Sequence, residues 1–319
     1  MKRYAMRTML WVVALVVMAV GFSACQKPAP ARYVWRAGEP LDYKLWLTQQ
    51  VEINGDRERA QRVMVRFVLR FEPREAAADG SARLAVVVRE AQATLSTSEG
   101  RQPLDQMTKL AGLSFAMSLR PDGAIEALDA AGETIEAMAP TVDSLKRTLR
   151  ELFPTLPERL TPGTAWTRRV GVTETIPPYG ALPAETVTSF EAGESAKIDG
   201  EEAVAINAHF SLSLGDGAPR TVSRPAEPSF AEAGAGERPP QAAAEERVVI
   251  KGQGDGKGAF YFSPQRGRLV SATYETALTI VQTREQFGKT DSTTQTVRSR
   301  IELRPLDAAA PRTSEEKQP

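Results

Sequence analysis

The chain has 319 residues with 40 basic and 40 acidic side chains, and it contains one histidine and one cysteine. A charge this balanced, with no large basic patch, argues against nucleic acid as a partner. One cysteine excludes an internal disulfide framework, and with the Cys25 thiol taken up only His209 would remain, which excludes a zinc site built on two or more His or Cys ligands.

Lys2, Arg3 and Arg7 give a positive start, and an apolar run from Met9 to Phe22 follows. That run is shorter than the ~20 residues a spanning helix needs. Small residues, Ser23 and Ala24, then precede Cys25. A charged start, a short apolar stretch and small residues before a cut together make a secretory signal, so residues 1–24 are expected to be removed. Phe22-Ser23-Ala24-Cys25 resembles the lipobox of bacterial lipoproteins, with Phe22 standing where leucine is usual. The resemblance covers the first 25 residues. It implies that Cys25 carries a thioether-linked diacylglycerol, often with a third, palmitate-like chain on the freed amino group. The thiolate is the nucleophile such a linkage requires, and two or more acyl chains anchor a protein stably. Gln26, not aspartate, follows the cysteine. In a diderm host this resembles a cargo sorted to the outer membrane, facing the periplasm. Loss of Lys2, Arg3 and Arg7 leaves the mature chain slightly acidic.

Residues 25–32 contain Pro28 and Pro30 without periodicity and read as a lipidated tether. From Tyr33 the pattern is that of strands. Leu41, Tyr43, Leu45 and Leu47 alternate within a long segment from Leu41 to Ile53. Val63, Val65, Phe67, Leu69 and Phe71 form a second series, Leu84, Val86 and Val88 a third, and Phe115, Met117 and Leu119 a fourth. Period two with one apolar face predicts half-buried antiparallel strands. Asp79-Gly80 and Asp122-Gly123 are the turn pairs among them.

From Glu133 to Phe153 the spacing changes. Ile135, Met138, Val142, Leu145, Leu149 and Leu152 are three or four residues apart, which is one face of a helix. Pro140 predicts a break near Ala139, so the better helix begins at Pro140 or Thr141. Pro154 and Pro157 end it.

Strands then resume at Gly163-Thr164-Ala165-Trp166 and run through Ile176. Thr186–Glu191, the series Val204 to Leu214, Val248–Lys251, Ala259–Phe262, Leu269–Gln282 and Gln295–Leu303 follow. Gly215 to Glu246 loses all periodicity and reads as a disordered insertion, and residues 306–319 as a polar tail. Gly38 and Gly163 open the stretches 33–132 and 160–305 in a similar way. Two related halves within one β-rich region, 33–305, joined by the helical segment 133–153, are therefore one organisation to consider.

Catalytic sets are scarce. His209 shares the polar positions of its strand with Asn207 and Ser211, and no Gly-x-Ser-x-Gly elbow accompanies it. Gly252-x-Gly254-x-Gly256-x-Gly258 is followed by Phe260-Tyr261-Phe262, not by a helix, so it marks a mobile hairpin, a bulge or a close backbone approach, not a phosphate cradle. Gly288-Lys289-Thr290 has Thr283 where a Walker loop needs glycine and reads as a turn. Glu201-Glu202 and Glu245-Glu246 are adjacent pairs, which point to opposite strand faces and read as solvated charge.

The expected fold is mainly β (β-rich α+β): a strongly curved antiparallel sheet or open half-barrel, with one amphipathic helix packed against it. In plan this looks like the half-barrel of periplasmic lipid and lipoprotein carriers, and like other envelope lipoproteins, across Tyr33 to Leu303. The resemblance implies a non-catalytic, membrane-anchored envelope protein with no cofactor and no metal, binding a hydrophobic ligand or a lipidated partner. A structural or assembly role in an envelope protein complex is the alternative.

Overall fold

The computed structural model describes residues 31–132, 138–176, 180–223, 245–286 and 289–306. The tether, the signal segment with Cys25, most of the insertion and the tail after Leu306 lie outside the described residues.

The first group of strands comprises β1 (Leu41–Ile53), β2 (Asp56–Ala76), β3 (Ala82–Thr97), β4 (Gly100–Pro103), β5 (Ser114–Leu119) and β6 (Ile125–Ala131), with a 3-10 turn at Asp105–Leu110. Helix α1 (Ala139–Leu152) follows. The second group comprises β7 (Ala165–Ile176), β8 (Gly180–Ile198), β9 (Glu201–Leu214), β10 (Arg220–Ser223), β11 (Glu245–Ser263), β12 (Arg268–Gln286) and β13 (Lys289–Pro305). All thirteen strands belong to one antiparallel sheet in the order β6-β5-β3-β2-β1-β13-β12-β11-β9-β8-β7, with β4 beside β3 and β10 beside β11. The sheet is open. Its edges are β6 and β7, and the chain passes from one to the other through α1.

The expected mainly β fold, curved and with one amphipathic helix against the sheet, is what forms. Alternate side chains build the core. Tyr43, Leu45, Phe67, Leu69, Phe71, Phe115, Ile206, Phe260, Ala272, Ile301 and Leu303 point to one face and are buried. Helix α1 lays Val142, Leu145, Leu149 and Leu152 on that face, the positions its three-and-four spacing predicts. Pro140 stands in the first turn, where its missing N–H has no intrahelical partner to lose. It therefore starts this helix and does not kink a longer one, and residues 133–137 lie outside the described residues.

The glycine run of β11 shows how the sheet bends. Gly252, Gly254, Gly256 and Gly258 lie in the interior of the strand, paired on both sides, so they form no hairpin. All four face the core side. A Cβ on Gly254 would stand 2.2 Å from the Ala277 carbonyl oxygen, and one on Gly256 would stand 2.4 Å from that of Glu275. Strand β12 thus crosses the space a side chain would occupy, and the sheet folds sharply between β11 and β12. Register shifts in β1–β2, β2–β3, β5–β6, β8–β9 and β11–β12 add further bends.

The insertion is shorter than the loss of periodicity implies. Arg220–Ser223 forms β10 and pairs with Glu245–Val248 of β11. A four-residue strand is too short to show a period, which is why these flanks read as irregular. The carboxylate pairs also differ from their reading as solvated charge. Glu201 accepts from Arg266 at 2.8 Å and from Arg268 at 2.7 Å with its side chain 18% exposed, and Glu246 is buried beside Arg284 at 3.4 Å. Arg266 and Arg268 lie in the β11–β12 turn and at the start of β12, and Arg284 on the strand beside Glu246, far from the carboxylates in sequence, which the sequence pattern does not reveal.

Candidate functional site: the uncovered end of the concave face

The concave face divides into transverse rows, each one residue per strand. The row Trp166-Phe190-Ala208-Gly258-Tyr274-Ile301-Leu47-Val65 lies in the main core or against it. Its rings are in contact. Trp166 stacks on Phe190 at 5.3 Å, and Tyr274 lies 5.4 Å from Phe210.

Helix α1 is tied down at this level. The Tyr274 hydroxyl donates to the Glu151 carboxylate at 3.0 Å. Burial and that neighbouring carboxylate push the Tyr274 hydroxyl well above the usual tyrosine range, so it stays protonated and able to donate. Arg168 donates to the carbonyls of Phe153 (3.2 Å) and Arg150 (3.1 Å), and the Trp166 indole donates to Thr155 at 2.6 Å. A guanidinium on the last carbonyls of a helix satisfies groups that have no intrahelical partner and meets the negative end of the dipole. Burial lowers the Arg168 pKa, and Glu151 opposes that shift.

The next row is mostly polar, with Phe210 still part of the main core and Val63 packed against it. It runs Arg168-Thr188-Phe210-Gly256-Thr276-Ser299-Gln49-Val63, and Thr188 is buried. Beyond this belt the face becomes apolar again. One row holds Val170, Leu212, Leu278, Val297 and Val51, and the next holds Val172, Ala184, Leu214, Ile280 and Ile53. Leu214 closes on Leu182, Val248 and Ile250 in a second, smaller cluster. Val170, Leu212, Leu278, Val297, Val51 and Ile280 are only half-buried, and Ile53 is 52% exposed. No described helix or strand lies over them. The floor is therefore an apolar trough between two cores, bordered on one side by hydroxyl and amide groups.

The opposite, convex face is polar. A groove of about 550 Å³ there is bordered by Arg62, His209, Lys257, Arg298 and Arg300, with Asp255 and Glu275. His209 is exposed, as its place beside Asn207 and Ser211 implies. Arg300 pairs with Glu275 at 3.2 Å and Glu302 at 2.7 Å, and Arg298 pairs with Glu52. Among the described residues no group of three His, Cys, Asp or Glu side chains could hold a metal ion.

The N-terminal end fixes the far pole. Tyr33 donates from its backbone to Pro121 at 2.7 Å, its hydroxyl reaches the Pro154 carbonyl at 3.2 Å, and Val34 N–H donates to Gly267 at 2.8 Å. The described chain thus begins near the β11–β12 turn, at the closed end, and the trough lies toward the opposite ends of the strands. Cys25 itself lies outside the described residues. The sequence had shown that apolar strand faces need cover. The trough's signal was the continuation of the apolar series to Val51, Leu212 and Ile280, past the reach of a single helix.

No protein-family model and no curated protein matches the chain. Among solved structures, the hypothetical lipoprotein YmcC from Escherichia coli is 10% identical, with 82% of this chain and 87% of that chain covered at a TM-score of 0.21. OpdQ of Pseudomonas aeruginosa is 8% identical, with 84% and 99% covered at a TM-score of 0.19. Likenesses this weak carry no weight for function, which rests on the residues of this chain.

Proposed function

We propose that this is a non-catalytic lipoprotein of the bacterial envelope, anchored through Cys25 to the outer membrane and facing the periplasm, that holds a hydrophobic ligand in the trough. The observation that carries the reading is the half-buried apolar floor of Leu212, Leu278, Val297, Val51 and Val170, which continues the core face past the end of its cover. A contiguous apolar surface left open on a folded chain marks a binding site. The neighbouring Thr276, Ser299 and Gln49 supply hydrogen-bond partners for the polar end of an amphipathic molecule.

The test has two parts. Native mass spectrometry of the full chain is expected to show a co-purified hydrophobic molecule, and Leu278→Asp to release it with the fold retained. A protein that carries nothing and binds no apolar fluorescent probe would overturn the ligand reading. For the anchor, Cys25→Ser is expected to abolish lipid labelling and membrane retention, and labelling of that variant would refute the assignment. An activity lost on His209→Ala would overturn the non-catalytic reading.

A second reading, an assembly component of an envelope complex, is supported by the open edge of the sheet at β7.

A further inference from the structure

Strand β7 ends the sheet with twelve residues and no partner on its outer side among the described residues. The other edge, β6, has seven residues and lies beside α1. Natural sheets guard long edges with proline, lysine or a covering element, because unpaired N–H and C=O groups recruit another strand. From Val170 to Ile176 β7 carries neither proline nor lysine.

The direction of its free groups follows from its pairing. Ala192 N–H donates to the Thr164 carbonyl at 2.8 Å, so at that position β7's backbone faces β8. The register is unbroken from Ala165 to Ile176, and antiparallel bonding alternates with period two. Even-numbered residues therefore bond β8, and Thr167, Arg169, Gly171, Thr173 and Thr175 present their N–H and C=O groups outward.

The sequence of the edge is self-complementary about one of these residues. Folded back on itself at Gly171, Trp166-Thr-Arg-Arg-Val-Gly-Val-Thr-Glu-Thr-Ile176 places Val170 opposite Val172, Arg168 opposite Glu174, Thr167 opposite Thr175 and Trp166 opposite Ile176. Apolar meets apolar and hydroxyl meets hydroxyl, Arg169 stands opposite Thr173, and Glu174 brings an anion to the position of Arg168, whose guanidinium also holds the Phe153 and Arg150 carbonyls. Centring on Val170 or Val172 instead sets Glu174 against Trp166 or Val170. Gly171 is not required by its own chain, since a Cβ there would meet nothing within 4 Å and its φ is not in the left-handed region.

We propose that β7 pairs antiparallel with β7 of a second copy across a two-fold axis at Gly171. This contact is isologous and closed, so it yields a dimer and not a filament. It also sets the Val170 and Val172 positions of the two copies side by side on the concave face.

Site-directed crosslinking of the full chain tests this. Wild-type protein has only Cys25, so each single added cysteine reports contact with its own counterpart. Gly171→Cys is expected to give at least ten times more disulfide-linked dimer than Arg169→Cys or Thr173→Cys, whose counterparts lie roughly 14 Å apart, four residues along an antiparallel pair. A peak at another position, or no dimer at any, overturns the proposal. Thr173→Pro removes an outward N–H and no bond to β8, and it is expected to halve the native mass of the wild-type dimer while the monomer still melts cooperatively. A monomeric wild type at micromolar concentration, or a Thr173→Pro variant that stays dimeric, also overturns it.

Discussion

The two ends of the concave face are made from the same strands and differ in what lies above them. At the closed end α1 and the segment from Phe153 to Leu156 cover Phe71, Leu45 and Phe260, and these side chains are fully or almost fully buried. At the open end Leu278, Val297 and Val51 continue the same alternation on the same strands and are only partly buried. Alternation therefore reports which way a side chain points, and a second layer decides whether it is buried. The closed end holds the fold together. The open end leaves apolar area available to something else.

Substitutions at matched positions sharpen this contrast. The largest effect is expected at the crease that serves both ends. Gly254→Val would drive a side chain into the Ala277 backbone, and loss of soluble, cooperatively folding protein is the expected outcome in expression and thermal melts. At the closed end, Leu149→Ala removes a fully buried side chain of α1 and is expected to cost about 2–5 kcal/mol in urea unfolding. Tyr274→Phe deletes the tie to Glu151 and should cost about 1–2 kcal/mol. Leu278→Ala, at the open end, should cost clearly less than Leu149→Ala without ligand, since Leu278 is only partly buried. A Leu278→Ala loss as large as that of Leu149→Ala would mean that the trough is core and not a site.

The smallest effect is electrostatic. Asp42 is held below its ordinary range, first by its hydrogen bond from Arg70 and then by the charge of that guanidinium, against the opposing cost of burial. A depressed carboxylate stabilises the fold above its unfolded pKa and loses that contribution as pH falls through the folded value. Asp42→Asn should therefore lower stability at neutral pH by less than about 1 kcal/mol, and the difference from wild type should vanish in strong acid. A difference that persists there would assign the effect to packing.

Much of this was legible in the residues. The strand from Leu41 to Ile53, the turns at Gly80 and Gly123, and the helix face from Val142 to Leu152 stand where their spacing puts them. The strands run longer than their apolar series wherever the sheet leaves the core. Residues 89–97 are strand of polar or mixed sequence, held by the ladder to β2 together with the small buried side chains of Ala91 and Ala93, which carry little apolar signal. In β11 glycines replace apolar residues on the inner face, so the alternation vanishes where the bend is sharpest. The trough was the least legible feature. Its residues are ordinary strand residues, and only the position of α1 makes them exceptional.

The pairing of β1 with β13 has a consequence for the order of events during folding. Tyr43 stands opposite Pro305, and the Leu306 N–H closes the seam on Asp42 at 2.8 Å. The strand that leaves the ribosome early thus waits for one of the last, and contacts between such distant segments form slowly. Until then β1 exposes a free edge in the middle of what will become the sheet. A chaperone that shields extended chains would act on this interval, and a joined-terminus variant opened at the α1 connection would shorten it.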